Sequence, residues 1–250
     1  MWMAVDIATE VGNFALGVSF ITDARPLIVA GPNGAGKTTL LLTLLGLLRP
    51  HAGRIAFAEN VLFDDKTGVD VSPEQRCIGY VPQDLALFPH MTVREHVEFA
   101  LACRASGSRE HCRMRANRIM AELGLADHAD RKPSRLSGGE RQCLALARAI
   151  APKPRALLLD EPMSALDIDA RAHVRQLLAR LLQAWAIPTI IVTHDVNDVH
   201  AVGQSVLVLE RGKVSQMGTI DELRDAPATS YVRAFVGGSV SAASETGVNV

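Results

Sequence analysis

The residues best suited to do chemistry are Gly31-Pro32-Asn33-Gly34-Ala35-Gly36-Lys37-Thr38-Thr39, which contain the pattern G-x-x-x-x-G-K-[S/T] directly after the apolar run Pro26 to Ala30. Glycine adopts backbone angles closed to other residues, so three glycines here let N–H groups curl inward. A helix predicted to start at about Lys37 points its own N-terminal amides and dipole at the same spot, and the two features together make an anion site. Lys37 adds a compact charge for the β- and γ-phosphates of a nucleotide, and the Thr38 hydroxyl suits Mg²⁺. A Gly-rich turn has similar letters. A phosphate loop, however, needs a strand before it and a helix after it, and both patterns are present. Such a loop implies nucleotide binding and leaves open what the nucleotide drives.

Ligands of open α/β sheets gather at the carboxyl ends of the parallel strands. Each buried apolar run of this chain delivers a polar residue there: Leu27 to Ala30 the phosphate loop, Cys77 to Val81 Gln83, Leu157 to Leu159 Asp160-Glu161, and Ile190 to Val192 His194. Two adjacent carboxylates at the end of an apolar strand are costly unless they hold a cation or a catalytic water. Strand alternation sends them in different directions, so one can join a Mg²⁺ shell while its neighbour faces an attacking water. The alternative for the pair is a solvated turn, and for His194 a core histidine satisfied by hydrogen bonds. A second anion feature is Leu136-Ser137-Gly138-Gly139-Glu140-Arg141-Gln142, ahead of the apolar-periodic Leu144, Leu146, Ala147 and Ile150. Ser137 is a natural N-cap, and Ser137-Gly138-Gly139 at a helix start exposes amides and a dipole to a phosphate. Taken alone, the tripeptide reads equally as an ordinary cap.

These residues need a scaffold, and 250 residues supply either one large α/β domain or a core with an inserted subdomain. The formal charge of −1 and pI of about 6.7 give no basic field, which argues against nucleic acid as a partner. Cys77, Cys103, Cys112 and Cys143 lie far apart without a C-x-x-C pair, the pattern of reduced thiols in a reducing compartment. Asp6 and Glu10 with no basic n-region argue against a signal peptide. The longest apolar stretch, Leu40 to Leu48, is half a membrane span, so the chain reads as soluble by itself.

Short strands are predicted over Met3 to Ala8, Asn13 to Phe20, Arg54 to Phe57 and Val61 to Phe63, with a helix from Lys37 to Leu48. From Thr92 the apolar period becomes helical, through Val93, Val97, Ala100 and Leu101 and then a basic helix Arg109 to Leu123 closed by Gly124. After Arg155 the chain alternates strand and helix, with continuous apolar strands suited to burial on both faces. The expected architecture is α/β: a P-loop NTPase core with a mostly parallel sheet and an antiparallel β subdomain (residues 1–83 and 156–236), an inserted helical subdomain (84–155), and a Gly/Ser/Ala-rich tail (237–250) expected to be disordered.

Gly31 to Thr38, Gln83, Leu136 to Gln142, Leu157 to Glu161, Ser164-Ala165-Leu166-Asp167 and His194 resemble, in order, the Walker A, Q-loop, signature, Walker B, D-loop and switch-histidine motifs of the ATP-binding cassette (ABC) ATPases. The resemblance covers about Met3 to Phe235. It implies ATP and Mg²⁺ as ligands, and a head-to-tail dimer that closes ATP between the phosphate loop of one copy and Ser137-Gly138-Gly139 of a second copy. It assigns Glu161 as general base, Lys37 and His194 to the γ-phosphate, and Thr38, Gln83 and Asp160 to the Mg²⁺ and water environment. The family stacks adenine on an aromatic residue upstream of the loop, where this chain has Phe14 with Val11 and Gly12 around it; a strand core residue fits Phe14 equally well. Cys143 stands where a basic residue is common.

The function the resemblance implies is that of the ATP-hydrolysing subunit of an importer, peripheral on the cytoplasmic face of the inner membrane. Its partners would be integral membrane permease subunits and, indirectly, a substrate-binding protein. Leu85 to Val93, centred on Leu87-Phe88-Pro89, is expected to meet the permease. Val61-Leu62-Phe63-Asp64-Asp65, Val71 to Arg76, Ile78 to Val81, Leu87 to His90 and the short approach Asp23 to Pro26 are most similar to the ATPase subunits of molybdate importers. Those commonly carry a C-terminal regulatory domain, for which this chain is too short. Importers of sulfate or another solute share much of the pattern. The alternative outside transport is a soluble cassette ATPase of DNA repair or translation, which usually shows a coiled-coil insertion, zinc-binding cysteine pairs or tandem modules, none of which is present here. An ordinary P-loop kinase or GTPase would not need Leu136 to Gln142.

Overall fold

The computed structural model describes residues 2–102, 109–202 and 205–237; Cys103 and the tail from 238 onward lie outside the described residues. Met3–Val11 (β1) and Phe14–Thr22 (β2) pair antiparallel with Val11 opposite Phe14, so Gly12-Asn13 is a two-residue turn. Alternate residues Val5, Ile7, Leu16, Val18 and Phe20 face inward, the period expected of a half-buried sheet. Leu27–Ala30 (β3) runs into the phosphate loop and Lys37–Leu45 (α1). Ala52–Phe57 (β4), Asn60–Asp64 (β5) and Val69–Asp70 (β6) continue the antiparallel part. A short helix, Pro73–Arg76 (α2), then leads to Ile78–Val81 (β7).

Between β7 and Ala156–Asp160 (β8) the described residues form the helices Val93–Ala102 (α3), Arg109–Glu122 (α4) and Gly138–Ile150 (α5). Strand and helix then alternate through Ile168–Trp185 (α6), Thr189–Val192 (β9), Val196–Val202 (α7) and Ser205–Glu210 (β10). Lys213–Gly218 (β11), Ile220–Asp225 (α8) and Ser230–Val236 (α9) complete the described chain. All the strands join one sheet in the order β6-β5-β4-β1-β2-β11-β10-β3-β9-β8-β7. The run β10-β3-β9-β8-β7 is parallel, and the β6-β5-β4-β1-β2 run is antiparallel. The antiparallel strands therefore extend the same sheet.

The parallel strands are buried on both faces, and alternation along them feeds two cores. Leu158, Ile190 and Val192 pack on one side with Leu40, Leu41 and Leu44 of α1, while Leu157, Leu159 and Ile191 pack on the other with Leu144 of α5 and Leu178 of α6. Each of those three α1 leucines is fully buried, a contribution of roughly 1.5–3 kcal/mol apiece that fixes the helix, and so the loop at its start, against the sheet.

The apolar period that predicts α1 through Leu48 does not set its end. The helix stops at Leu45 because Gly46 turns left-handed at φ 84°, a conformation that suits glycine. A Cβ on Gly46 would meet Arg76 Nε at 2.6 Å. The Arg76 side chain, itself fully buried, donates to the carbonyls of Thr43 (3.0 Å) and Leu44 (2.9 Å) and to Val71 O (2.8 Å). A cation arriving from 30 residues downstream thus satisfies carbonyls that a helix end leaves open.

Candidate nucleotide site

The phosphate loop leaves β3 and turns through Gly34 (φ 74°) into Gly36 (φ 99°, ψ 15°), the N-cap of α1. Lys37 is buried, and its Nζ donates to Gly31 O (2.8 Å) and Pro32 O (3.0 Å). Burial lowers its pKa, an effect opposed by the Glu161 and Asp160 charges. Phe14, half-buried at the start of β2, places its ring directly beside Gly36.

Register brings the remaining groups to the same end of the sheet. Asp160 lies opposite Val192 in the β8–β9 ladder, and the Glu161 amide continues it by donating to Val192 O at 3.0 Å. Asp160 accepts from the Thr38 hydroxyl at 2.8 Å across 122 residues of sequence. Burial pushes the Asp160 carboxyl above its ordinary range, the Thr38 bond and Lys37 pull it down, and Glu161 pushes it up. Glu161 has a left-handed backbone (φ 46°) and turns its carboxylate the other way, with Oε1 3.5 Å from His194 Nδ1. The His194 contact holds Glu161 below the usual carboxylate range and raises His194 in return, each against the effect of burial. Gln83 sits just past β7 on the wall of a cleft it shares with Thr38, Tyr80, Asp160 and Ser164. Burial and the Asp160 and Asp84 charges push the Tyr80 hydroxyl up to about 12.

The two side-chain oxygens of Thr38 and Asp160 fit a hard cation. Adjacent ligands of an octahedral Mg²⁺ at roughly 2.1 Å lie about 3 Å apart, and Mg²⁺ takes one or two protein oxygens plus substrate phosphates. Among the described residues no cluster of three or more His, Cys, Asp or Glu side chains forms a protein-only cage.

Ser137-Gly138-Gly139 opens α5. Ser137 Oγ accepts from Glu140 N (3.2 Å), and Glu140 Oε2 accepts from Ser137 N (2.6 Å), a capping box. His128 Nε2 braces Glu140 at 2.8 Å. Gly138 packs against Leu166 and Gly139 against Val174 and Ala170, so within one chain the signature segment lies against the loop after Glu161 and the start of α6. At the entry to the helical segment, Leu85 (φ 62°) and Ala86 (φ 43°) are held by Arg148 of α5, which donates to both carbonyls, to Leu85 O at 2.7 Å. Phe88 and Phe99 are exposed beside each other, 5.8 Å between ring centroids. The sequence reading does not single out Arg171, Arg175, Thr193, Asp195 or Asp198, which surround His194 and the loop after Glu161; the i, i+4 spacing of the two arginines and the carboxylates at His194+1 and +4 are the signals that could have found them.

Fold and site together define a P-loop nucleotide-binding module built on one sheet. A family model described as "ABC transporter" matches residues 20–164, and the chain belongs to that family. It is 39% identical over 231 residues to the molybdenum import ATP-binding protein ModC of Mycobacterium tuberculosis (strain CDC 1551 / Oshkosh), covering 91% of this chain and 63% of the relative. It is 38% identical to the trehalose/maltose import ATP-binding protein MalK of Thermococcus litoralis (95% and 63% covered). To the sulfate/thiosulfate import ATP-binding protein CysA of Caulobacter vibrioides it is 41% identical (87% and 63% covered). The chain thus spans under two thirds of the length of these relatives. Among solved structures it is similar to the dimeric post-hydrolysis state of the ATP-binding cassette MJ0796 bound to ADP and Pi, with a TM-score of 0.72 and 29% identity over 88% of this chain and 98% of that one. No helix among the described residues is long and apolar enough to cross a membrane.

Proposed function

We propose that the chain binds and hydrolyses MgATP as the nucleotide-binding subunit of an importer. The observation that carries this reading is the division of labour between neighbouring carboxylates: Asp160 on the Thr38 hydroxyl, Glu161 on His194. Thr38 and Asp160, with Gln83 nearby, would hold Mg²⁺, which when bound would supply positive charge against the developing phosphate charge. The loop amides and Lys37 fix the β- and γ-phosphates. Glu161, whose carboxylate is oriented by His194, takes the proton from a water as its oxygen attacks the γ-phosphorus and the bond to the bridging oxygen breaks. His194, half exposed beside Glu161, donates to the γ-phosphate. Glu161→Gln is expected to bind ATP normally and to hydrolyse it about 100- to 10,000-fold more slowly; turnover near wild type would defeat the assignment.

The remaining parts of the reading concern partners. A second copy of the chain supplies Ser137-Gly138-Gly139 to the nucleotide, a reading supported by the similarity to the dimeric cassette named above. The exposed Phe88–Phe99 face, fastened to α5 through Arg148, is the surface offered to a separate permease at the cytoplasmic face of the inner membrane. For the solute we propose molybdate or a related oxyanion, on the stretch from Val61 to His90. The relatives carry names for molybdenum, sulfate/thiosulfate and trehalose/maltose import at similar identity, so uptake by the reconstituted transporter of labelled molybdate against sulfate and maltose decides it. Uptake of sulfate or maltose with no competition from molybdate would overturn the solute and leave the ATPase reading standing.

A further inference from the structure

Two arginines on one face of α6 tie together the loops that carry Glu161 and His194. Arg171 is the hub of the first loop. Its Nε donates to Met163 O (3.1 Å) and its Nη2 to Ser164 O (3.2 Å) and Leu166 O (3.3 Å). These three carbonyls belong to the turn that follows Glu161, whose own carbonyl accepts from Ser164 N and Oγ. The turn begins at a non-glycine residue with φ 46°, a conformation that costs energy and persists only where surrounding contacts enforce it.

The same guanidinium faces the second loop, with Nη1 3.9 Å from Asp195 Oδ2. One turn further along α6, Arg175 donates to that Asp195 oxygen (2.9 Å) and to Asp198 Oδ1 (2.7 Å). Asp198 is buried, and its other oxygen accepts from the Thr193 hydroxyl at 2.6 Å. Thr193 Oγ1 in turn accepts from the Asp195 amide, and Asn197 donates twice to Asp195 Oδ1. His194 therefore stands between two residues, Thr193 and Asp195, that are both locked into the network. Two guanidinium and two carboxylate groups balance in charge, and the planar fork of arginine is what lets one side chain serve three carbonyls and a carboxylate together.

We propose that Arg171 is a positioning residue for hydrolysis: by bridging the loop after Glu161 to Asp195, it sets the distance between the Glu161 carboxylate and the His194 ring. Arg171 touches neither reacting atom. The inference rests on the reading of Glu161 and His194 as the hydrolytic pair. A displacement of about 1 Å at a reacting group costs on the order of 100-fold in rate, whereas the phosphate loop and α1, on the opposite side of β8, keep their own contacts.

The test measures steady-state ATPase and equilibrium MgATP binding in Arg171→Ala, Arg171→Lys, His194→Ala, the double variant Arg171→Ala/His194→Ala, and Glu161→Gln. Arg171→Ala is expected to lower kcat about 10- to 100-fold while the Kd for MgATP stays within about twofold. Arg171→Lys, a single charge without the fork, should recover less than half of that loss on a logarithmic scale. If Arg171 acts through the pair, the double variant falls no further than His194→Ala alone. A fully additive double variant, a rise in Kd equal to the fall in kcat, or full rescue by lysine would overturn the proposal. Arg171 is about one-third exposed; should Arg171→Ala melt early, Arg171→Gln, which keeps a donor, gives the same comparison of kcat with Kd. If Glu161→Gln itself hydrolyses at the wild-type rate, the hydrolytic reading fails; if it is inactive while Arg171→Ala is not, only the positioning role fails.

Discussion

Gly36→Ala probes the phosphate loop at the residue where it becomes a helix. Gly36 sits at φ 99°, ψ 15°, and a side chain in the left-handed region costs roughly 1–2 kcal/mol. Its new Cβ would fall 2.7 Å from Phe14 Cζ, 2.9 Å from Phe14 Cε1 and 3.1 Å from Leu16 Cδ1. Leu16 is buried and cannot give way, whereas the half-buried Phe14 ring can turn off its rotamer for roughly 0.5–1.5 kcal/mol. The sum, roughly 1.5–3.5 kcal/mol, falls on the conformation that presents amides to phosphate. MgATP should therefore bind about 10- to 300-fold more weakly, while the two cores hold the fold. Titration calorimetry beside a thermal melt reads both quantities. Adding Phe14→Ala should return the part due to the ring and leave the backbone part. Phe14→Ala alone separates packing from base stacking, since a stacking ring is worth roughly 1–3 kcal/mol of binding. A Gly36→Ala protein that binds MgATP within twofold of wild type, at an unchanged melting temperature, would refute both the strain and the steric argument.

Thr38→Val removes the donor to buried Asp160, and an orphaned buried acceptor costs about 1–3 kcal/mol, so the melting temperature without nucleotide should fall by several degrees; an unchanged melt would show that the 2.8 Å bond contributes nothing. The Glu161–His194 contact has a pH window. The raised His194 pKa stabilises the fold below its ordinary value of 6.5 and is lost as pH rises through the elevated one, while the lowered Glu161 pKa stabilises above 4.5 and is lost as pH falls through the depressed one. His194→Ala should then lower the melting temperature more at pH 6 than at pH 9, by a small margin because His194 is half exposed and screened; an equal or reversed difference contradicts the pairing. Phe88→Ser should fold and hydrolyse ATP like the wild type yet fail to co-purify with the proposed permease partner, and wild-type assembly and transport would remove the docking role.

What could be read from the chain in advance was what neighbouring residues do to one another. The phosphate loop, the Asp160-Glu161 step and the Ser137 cap are each contained in a few consecutive residues, and their physics is local. The end of α1 was not legible, because apolar spacing runs on to Leu48 and the helix is closed by Gly46 together with Arg76 from a later strand connection. The Thr38–Asp160 bond spans 122 residues and depends on the order in which β3, β9 and β8 lie side by side. The position of Phe14 against Gly36 follows from β2 and β3 being separated in the sheet by β11 and β10, which no periodicity reveals. Nothing in the residues around Arg171 and Arg175 marks them beyond their i, i+4 spacing; only the return of the chain through β9 places Asp195 and Asp198 beside them.

The sheet also has a colloidal consequence. Among the described residues the eleven strands leave two outer flanks, and unpaired N–H and C=O groups on such flanks can recruit further chains by strand addition. Here the outermost strands are β6, two residues long, and β7, four residues long. Asp70 on β6 is drawn sideways into ion pairs with Arg49 and Arg76. Short outer strands of that kind are one of the ways in which open sheet edges are blunted against strand addition.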